Sequence, residues 1–238
     1  CTINPHNVNS FSHHKIMPED MPKPKASRRV LIVGGGPGGM QAAIDAADRG
    51  HKVILADNSD RLGGILKITD YDYYKKDLHD FKELLIREIG KRNIEIRLNT
   101  HVTAEMIKDL KPEALIIAIG AEQIVPPIPG IEKAVSAYDI YFIPKEKIGK
   151  RVVMAGGGLV GCETALELVY RGCEVTVIEM KDRLLPESTG IYRTAVLDQM
   201  DKVGITAMAN TKCKEFREDG VLVEDKDGNE KFIPADTV

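Results

Sequence analysis

Short apolar runs alternate with amphipathic stretches along the first half of the chain, from residue 30 onward. Apolar runs of about four to eight residues are typical of buried strands, and apolar residues three or four positions apart are typical of a helix. The stretch 75–91 carries Leu78, Phe81, Leu85 and Ile89 on one such face. Strands that alternate with helices favour a parallel sheet with right-handed crossovers. The predicted strands are 30–33, 52–56, 94–98 and 114–119, and the predicted helices are 38–50, 75–91 and 104–110.

The second half of the chain repeats this arrangement and ends in a predicted hairpin. A turn signal, Asp227-Gly228, separates the last two strands of that hairpin. The predicted strands are 151–155, 174–178, 205–209, 214–217, 221–225 and 231–233, and the predicted helices are 160–172 and 189–203. Both halves are therefore expected to be α/β.

One glycine pattern, G-x-G-x-x-G, occurs twice at an offset of 122 positions (156 minus 34). Each copy follows a predicted strand, opens a predicted helix and is followed by a carboxylate, Asp57 or Glu179, 23 positions after its first glycine (57 minus 34, 179 minus 156). Two copies in register argue against ordinary turn glycines with a carboxylate nearby by accident. The glycines are Gly34, Gly36 and Gly39 in the first copy and Gly156, Gly158 and Gly161 in the second.

This pattern predicts two dinucleotide sites. The first glycine permits a tight turn, the second lets the backbone approach a pyrophosphate, and the third allows close packing of helix on strand. The helix N-terminus then attracts the phosphates through unpaired amides. Asp57 and Glu179 are expected to accept hydrogen bonds from a ribose diol.

Glu179 also favours NADH over NADPH at the second site. A 2′-phosphate at about 4 Å would meet a repulsion of about 4 kcal/mol at an effective dielectric near 20. Lys181 and Arg183 lie close enough in sequence to weaken that repulsion.

Composition narrows the class of partner. The chain has 238 residues, 43% of them hydrophobic, which is enough for about two domains. Its net charge of −3 supplies no basic field for nucleic acid or an anionic membrane, and no apolar run reaches the roughly 18 residues of a membrane span. We therefore expect small-molecule partners, no nucleic acid, no membrane and a cytoplasmic location.

The four cysteines form neither a C-x-x-C pair nor a zinc motif. Cys162, Cys173 and Cys213 are interpreted as buried structural thiols. Residues 1–27 contain four prolines and three histidines without apolar periodicity and are expected to form an extended connector. The three histidines could in principle bind a metal. The stiff segment Val125–Gly130 separates the copies, so the predicted domains are 28–125 and 126–236, with a further strand beginning at 237–238.

At the first copy, GGGPGG, then Asp57 and DRLGG resemble the FAD-binding signature of the flavoproteins with two dinucleotide-binding folds. The second copy, GGGLVGCETA, resembles their inserted NAD(P)H domain, and LIIAIG at 115–120 resembles the crossover between the two domains. The resemblance implies two Rossmann-like three-layer domains, with the NAD(P)H domain inserted in the FAD domain and the last part of the FAD domain outside this chain. The implied FAD-site residues are Gly34, Gly36, Pro37, Gly38, Gly39, Asp57, Arg61, Gly63, Gly64, Val102 and Gly120. Those implied for NAD(P)H are Gly156, Gly158, Gly161 and Glu179.

The opening residues CTINP resemble the end of the iron-sulfur segment in the 2,4-dienoyl-CoA reductase and trimethylamine dehydrogenase branch of the old yellow enzyme family. There the cysteine before N-P is the last ligand of a four-iron cluster, which makes Cys1 a cluster ligand in the intact protein. The family places an FMN-bearing barrel first. The resemblance implies that this chain is the C-terminal part of an NADH:flavin oxidoreductase that passes hydride from NADH to FAD, and electrons through the cluster to FMN and an unsaturated substrate.

Two alternatives stay open. A disulfide reductase of the thioredoxin or lipoamide type would need a paired cysteine motif near the flavin. A module that binds only an adenine nucleotide, or nothing, would support the barrel without transferring electrons. Tyr71, Tyr73 and Tyr74 could face the flavin or form a solvent-exposed lead-in to a helix.

Overall fold

The computed structural model describes residues 24–238, so Cys1, the three N-terminal histidines and most of the predicted connector lie outside the described residues. The described chain divides into two compact units. The first comprises residues 24–70 and Tyr74–Glu122, and the second comprises Tyr71–Tyr73 and Gln123–Val238. The predicted domain boundary after residue 125 stays a prediction.

A four-stranded parallel sheet forms the centre of the first unit, with strand order β3-β2-β1-β4. Ile32 of β1 lies opposite Leu55 of β2 on one side and Ile116 of β4 on the other. The strands are β1 (Arg29–Val33), β2 (Lys52–Ala56), β3 (Ile94–Arg97) and β4 (Ala114–Ile117), and the helices are α1 (Pro37–Asp48), α2 (Lys76–Gly90) and α3 (Ala104–Leu110). Short 3-10 helices cover Gly64–Asp70 and Tyr73–Lys75.

The core of the first unit lies where α1 and α2 pack on this sheet. Ile32, Met40, Leu55 and Ile89 are almost completely buried there. Successive strand residues point to opposite faces of the sheet, whereas helix residues three and four apart share one face of the helix. The apolar face of each helix therefore packs on the apolar face of the sheet. The apolar positions Leu85 and Ile89 of α2 are buried as the sequence predicts, whereas Leu78 is exposed.

The second unit has two sheets that pack against each other. The parallel sheet has the order β5-β6-β7, and the antiparallel sheet has the order β10-β9-β8. Val153 and Ile178 of the parallel sheet form one cluster with Phe216, Val221 and Ile233 of the antiparallel sheet. The elements are β5 (Arg151–Ala155), α4 (Leu159–Tyr170), β6 (Glu174–Ile178), α5 (Gly190–Lys202), β7 (Thr206–Met208), β8 (Thr211–Arg217), β9 (Gly220–Asp225) and β10 (Glu230–Pro234).

Helix α4 packs against β5 and β6. Because strand side chains alternate, Val152 and Val177 face away from the antiparallel sheet and are buried. The second unit is therefore a three-layer α/β/β structure. The α/β fold with parallel sheets that the resemblance implies is confirmed.

The residues after β10 run beside β5. Thr237 forms a parallel bridge with Val152, and the Val153 amide donates to the Thr237 carbonyl at 3.1 Å. Asp236 accepts hydrogen bonds from the Arg151 amide and guanidinium. Thr237 thus takes the place beside β5 that β4 takes beside β1.

Two sequence expectations differ in detail from the structure. Strand β4 ends at Ile117, two residues earlier than predicted, because its partner β1 ends at Val33, opposite Ile117, and the chain turns at Gly34. Cys173 and Cys213 are only partly buried, so the interpretation as buried thiols is right for Cys162 alone.

Among residues 24–238, no helix is both long and apolar enough to cross a membrane.

We expect Ile32→Ala to lower the free energy of unfolding by about 2–5 kcal/mol, because it empties a fully buried site in the centre of the sheet. The matched control is Ile117→Ala on edge strand β4, where the side chain is 66% exposed. That variant should cost less than about 1 kcal/mol. Urea unfolding followed by circular dichroism measures both, and equal losses would contradict the described core.

Candidate functional site

The first glycine loop connects β1 to α1 through two close backbone approaches. Gly34 has φ +108°, and a Cβ on it would lie 2.2 Å from the Ala118 carbonyl oxygen. A Cβ on Gly39 would lie 1.8 Å from the Gly34 carbonyl oxygen. Both positions therefore require glycine: the first for the turn and the approach to Ala118, the second for helix packing on the loop.

The second glycine loop repeats this geometry between β5 and α4. Gly156 has φ +120°, and a Cβ on Gly161 would lie 1.9 Å from the Gly156 carbonyl oxygen. A Cβ on Gly158 would meet no atom within 4 Å, so the space above this glycine is open. Open space at the middle glycine fits the close approach of a pyrophosphate.

The helices that follow the loops begin without a side-chain cap. Gly36 and Gly158 are the N-cap residues, and no acidic side chain lies in the first turn of α1 or α4. Pro37 occupies the first turn of α1, where its missing N–H costs nothing. The first amides of each helix are thus directed at the loop and available to an anion. A Cβ on Gly38 would meet no atom within 4 Å.

Each predicted carboxylate closes its own glycine loop through backbone amides. Asp57 accepts from the Gly35 amide at 2.5 Å and from the Ser59 amide at 2.8 Å. Glu179 accepts from the Gly157 amide and from the Lys181 amide, both at 2.8 Å. The sequence indicated a ribose contact for these carboxylates but did not predict that they hydrogen-bond to the amides of their own loop. The fixed spacing from glycine to carboxylate is the sequence signal for these hydrogen bonds.

Asp57 is held in its ionised form. Burial alone would raise its pKa, but hydrogen bonds from the Ser59 hydroxyl and from the Gly35 and Ser59 amides, with the nearby charge of Lys67, lower the pKa below its ordinary value of 3.8. The Lys67 ammonium in turn donates to the Ser59 hydroxyl at 2.7 Å. The first loop is therefore closed by a charged group at neutral pH.

A cavity of about 440 Å³ adjoins the second glycine loop. Glu179, only 8% exposed, lies in its wall, and Lys181 lines it with its ammonium 3.4 Å from Glu187. Arg183, the second residue expected to weaken repulsion of a 2′-phosphate, is not among the lining residues. The lining residues are Gly158, Leu159, Glu179, Lys181, Leu185, Pro186, Glu187, Ser188, Thr189 and Tyr192.

The DRLGG segment packs directly on the first glycine loop. The Gly63 amide donates to the Gly35 carbonyl at 2.9 Å, and a Cβ on Gly64 would lie 2.7 Å from the Gly36 Cα. Arg61 points instead to Asp70, at 3.0 Å. The structure therefore brings Gly63 and Gly64 to the loop, whereas the Arg61 guanidinium binds a carboxylate of its own unit.

The remaining predicted FAD-site residues lie near the same sheet edge. The Thr100 amide donates to the Asp57 carbonyl at 2.8 Å, which places Thr100, two residues before Val102, beside the end of β2. Gly120 has φ +76° and follows Ala118, which passes Gly34. The carboxyl ends of parallel strands are where α/β proteins bind nucleotides.

The flavin-facing position that the sequence left open for the tyrosines stays a prediction. Tyr71 and Tyr74 are about half exposed, and the Tyr71 ring packs edge-to-face on Phe142 at 5.4 Å. Burial raises the pKa of the Cys162 thiol to about 12 and that of the Cys213 thiol to about 11. Thiols so strongly protonated are poor nucleophiles, and the described cysteines form no pair, which disfavours dithiol chemistry.

A family model described as pyridine nucleotide-disulphide oxidoreductase matches residues 28–238. The chain is 36% identical over 244 residues to an NADH oxidase of Thermoanaerobacter brockii and 33% identical over 221 residues to a cinnamate reductase of Clostridium sporogenes. These matches cover 100% and 90% of this chain but only 37% and 32% of the relatives. A solved structure of a 2-naphthoyl-CoA reductase matches with a TM-score of 0.89 at 30% identity, over all of this chain and 36% of that one.

Two glycine loops of dinucleotide-binding form on parallel sheets are typical of the dinucleotide-binding domains of FAD- and NAD(P)H-dependent oxidoreductases. The chain belongs to the pyridine nucleotide-disulphide oxidoreductase family. The relatives also confirm the resemblance to old yellow enzyme type NADH:flavin oxidoreductases, and the chain spans about a third of their length.

The lowered pKa of Asp57 predicts a contribution to stability that depends on pH. This contribution is fully present above the unfolded-state value of 3.8 and is lost as the pH falls through the lower folded-state value. Asp57→Asn should therefore lose less stability than the wild type between about pH 7 and about pH 3. Urea unfolding at the two pH values measures the difference.

Ser59→Ala should reduce the same pH dependence in part, since it removes one hydrogen bond to the carboxylate. If the wild type and Asp57→Asn responded identically to pH, the proposed charge on the first loop would be wrong.

Proposed function

We propose that this chain is the dinucleotide-binding part of an NADH:flavin oxidoreductase, in which NADH binds at the second glycine loop and passes hydride to FAD at the first. Electrons then continue through an iron-sulfur cluster to FMN, which reduces an unsaturated substrate. One observation carries the proposal: the same glycine loop, with a loop amide donating to the carboxylate that follows the next strand, occurs in both units.

The first unit supplies the proposed FAD site. Amides at the start of α1 would hold the pyrophosphate, and Asp57 would accept from a ribose hydroxyl while keeping its bonds to the loop. The rest of the FAD molecule would lie along Gly63, Gly64, Val102 and Gly120. The described residues of this chain bind and orient, and the flavin and nicotinamide supply the redox chemistry when bound.

The second unit supplies the proposed NADH site. Its cavity of about 440 Å³ begins at Gly158, where a Cβ would project into open space, and extends past Glu179. Glu179 is buried and fixed by two amides, so it cannot easily turn away from a phosphate at the ribose. This geometry supports NADH over NADPH.

The wider context comes from the relatives. Their names, cinnamate reductase and 2-naphthoyl-CoA reductase, describe compounds with unsaturated carbon bonds, which supports an unsaturated acceptor here too. Because they are about three times longer than this chain, we propose that the FMN barrel and the cluster, with Cys1 as one ligand, belong to the same intact protein. A cytoplasmic location remains part of the proposal.

Titration of the intact protein with FAD, ADP and NADH tests this function. We expect FAD to bind and its absorbance band to bleach anaerobically when NADH is added. Gly158→Ala should keep the fold, because the new Cβ meets no atom within 4 Å. It should weaken NADH binding, because the methyl group would crowd the pyrophosphate. Gly90→Ala, equally uncrowded and at the end of α2, is the matched control. Binding of ADP without flavin bleaching would instead establish a scaffold module.

Glu179→Gln should shift cofactor selectivity toward NADPH by about tenfold or more, because it removes a charge that repels the 2′-phosphate. Steady-state kinetics with NADH and NADPH measure the ratio of kcat/KM values. Glu174→Gln, at the opposite end of β6, is the control and should leave this ratio unchanged. A wild-type preference for NADPH, or an unaltered ratio in Glu179→Gln, would refute the role given to Glu179.

A further inference from the structure

We propose that Asp70 is a positioning residue for the first dinucleotide site: through an ion pair with the buried Lys82 it holds the segment Arg61–Gly64 against the first glycine loop. The inference rests on the proposed function for the identity of the nucleotide. The ion pair and its contacts with the segment are properties of the first unit alone.

Lys82 is unusual among the lysines of this unit because it is only 3% exposed, although α2 is otherwise polar on its outer face. Its ammonium donates to an Asp70 carboxylate oxygen and lies 2.9 Å from Glu83. A buried ammonium is strongly unfavourable unless it is paired and hydrogen-bonded. Asp70 and Glu83 both pair with this ammonium, and Asp70 is the partner that lies outside α2.

Several basic side chains surround the Asp70 carboxylate. Its second oxygen accepts from the Arg61 guanidinium at 3.0 Å, and His79 Nδ1 lies 3.1 Å from the first oxygen. Burial would raise the pKa of Asp70, but the hydrogen bond and charge of Lys82, with the charges of Arg61 and His79, lower it on balance. Asp70 therefore ties the start of the DRLGG segment to helix α2.

The aliphatic part of Lys82 supports the segment from beneath. A Cβ on Gly63 would lie 3.1 Å from Lys82 Cδ, while the Gly63 amide donates to the Gly35 carbonyl. On the other side, Gly64 packs against Gly36. The segment Arg61–Gly64 thus lies between the Lys82 side chain and the first glycine loop. A shift of Lys82 would leave this segment free to move away from the loop.

A metal site is a weaker explanation of the same cluster. Ligand atoms of Asp70, His79 and Glu83 lie within 4.8 Å of one another, a spacing that a cation could bridge. However, the Lys82 ammonium already lies within ion-pair distance of both carboxylates. A metal ion would have to displace the Lys82 ammonium. We therefore interpret these carboxylates as ion-pair partners of Lys82 and not as metal ligands.

The second unit has no equivalent pair at the duplicated positions. Helix α5 begins 114 positions after α2 (190 minus 76), so the helix position of Lys82 is taken by Val196 (82 plus 114), a buried apolar residue. Leu185 and Pro186 replace Gly63 and Gly64, and Leu185 is fully buried. The ion pair is therefore specific to the first site, and its removal should leave the second site unchanged.

Two variants, Asp70→Asn and Lys82→Met, test the proposal in the full chain. Without nucleotide, we expect amide hydrogen exchange in residues 59–66 to accelerate by about tenfold in both variants, while exchange in β1 and β2 stays as in the wild type. The FAD dissociation constant should rise by about tenfold, and NADH affinity should not change. Lys82→Arg keeps the charge and should recover most of the FAD affinity.

The matched control is Lys76→Met, which removes an exposed ion pair with Asp80 from the same helix and should change neither measurement. Unchanged exchange in residues 59–66, or acceleration spread evenly over the first unit, would overturn the proposal, since the pair would then have no effect or only a general structural one. If the wild type bound no FAD, the proposed function would fail, while hydrogen exchange would still decide whether the pair positions the segment.

Discussion

The close contact between the third and first glycines of each loop is the constraint on which both sites depend. A Cβ on Gly39 or Gly161 would lie within 2 Å of a loop carbonyl oxygen, so α1 and α4 can start where they do only because no side chain is present. This contact directs the helix N-terminus at the loop. The short distance between the third glycine and the carbonyl of the first glycine therefore sets the direction of the first helix amides. That direction in turn favours an anion at the loop.

The two units use the same loop in different surroundings. In the first, Gly64 packs on the middle glycine and the segment from Arg61 to Gly64 is tied to α2 through Asp70 and Lys82. In the second, the middle glycine borders a cavity of about 440 Å³. One loop is thus closely covered by its own chain and the other is open.

Charge in these sites is controlled by hydrogen bonds more than by exposed ion pairs. Asp57 and Glu179 each accept from two backbone amides, which holds each carboxylate beside its own glycine loop. For Asp57, despite its partial burial, these hydrogen bonds and that from the Ser59 hydroxyl lower the pKa. Surface ion pairs such as Lys76 with Asp80 contribute little, because water screens them.

The sequence by itself determined the duplicated loop, the parallel α/β order and the positions of the carboxylates, because glycine spacing and apolar periodicity reflect local backbone geometry. Most predicted helices and strands agree with the structure to within two or three residues. Only the tertiary structure decided that Asp57 and Glu179 brace their loops, that β4 ends beside Gly34, that Cys173 and Cys213 are partly exposed, and that Lys82 is buried. These features arise from contacts between residues far apart in the chain or on different elements, and local periodicity does not encode such contacts.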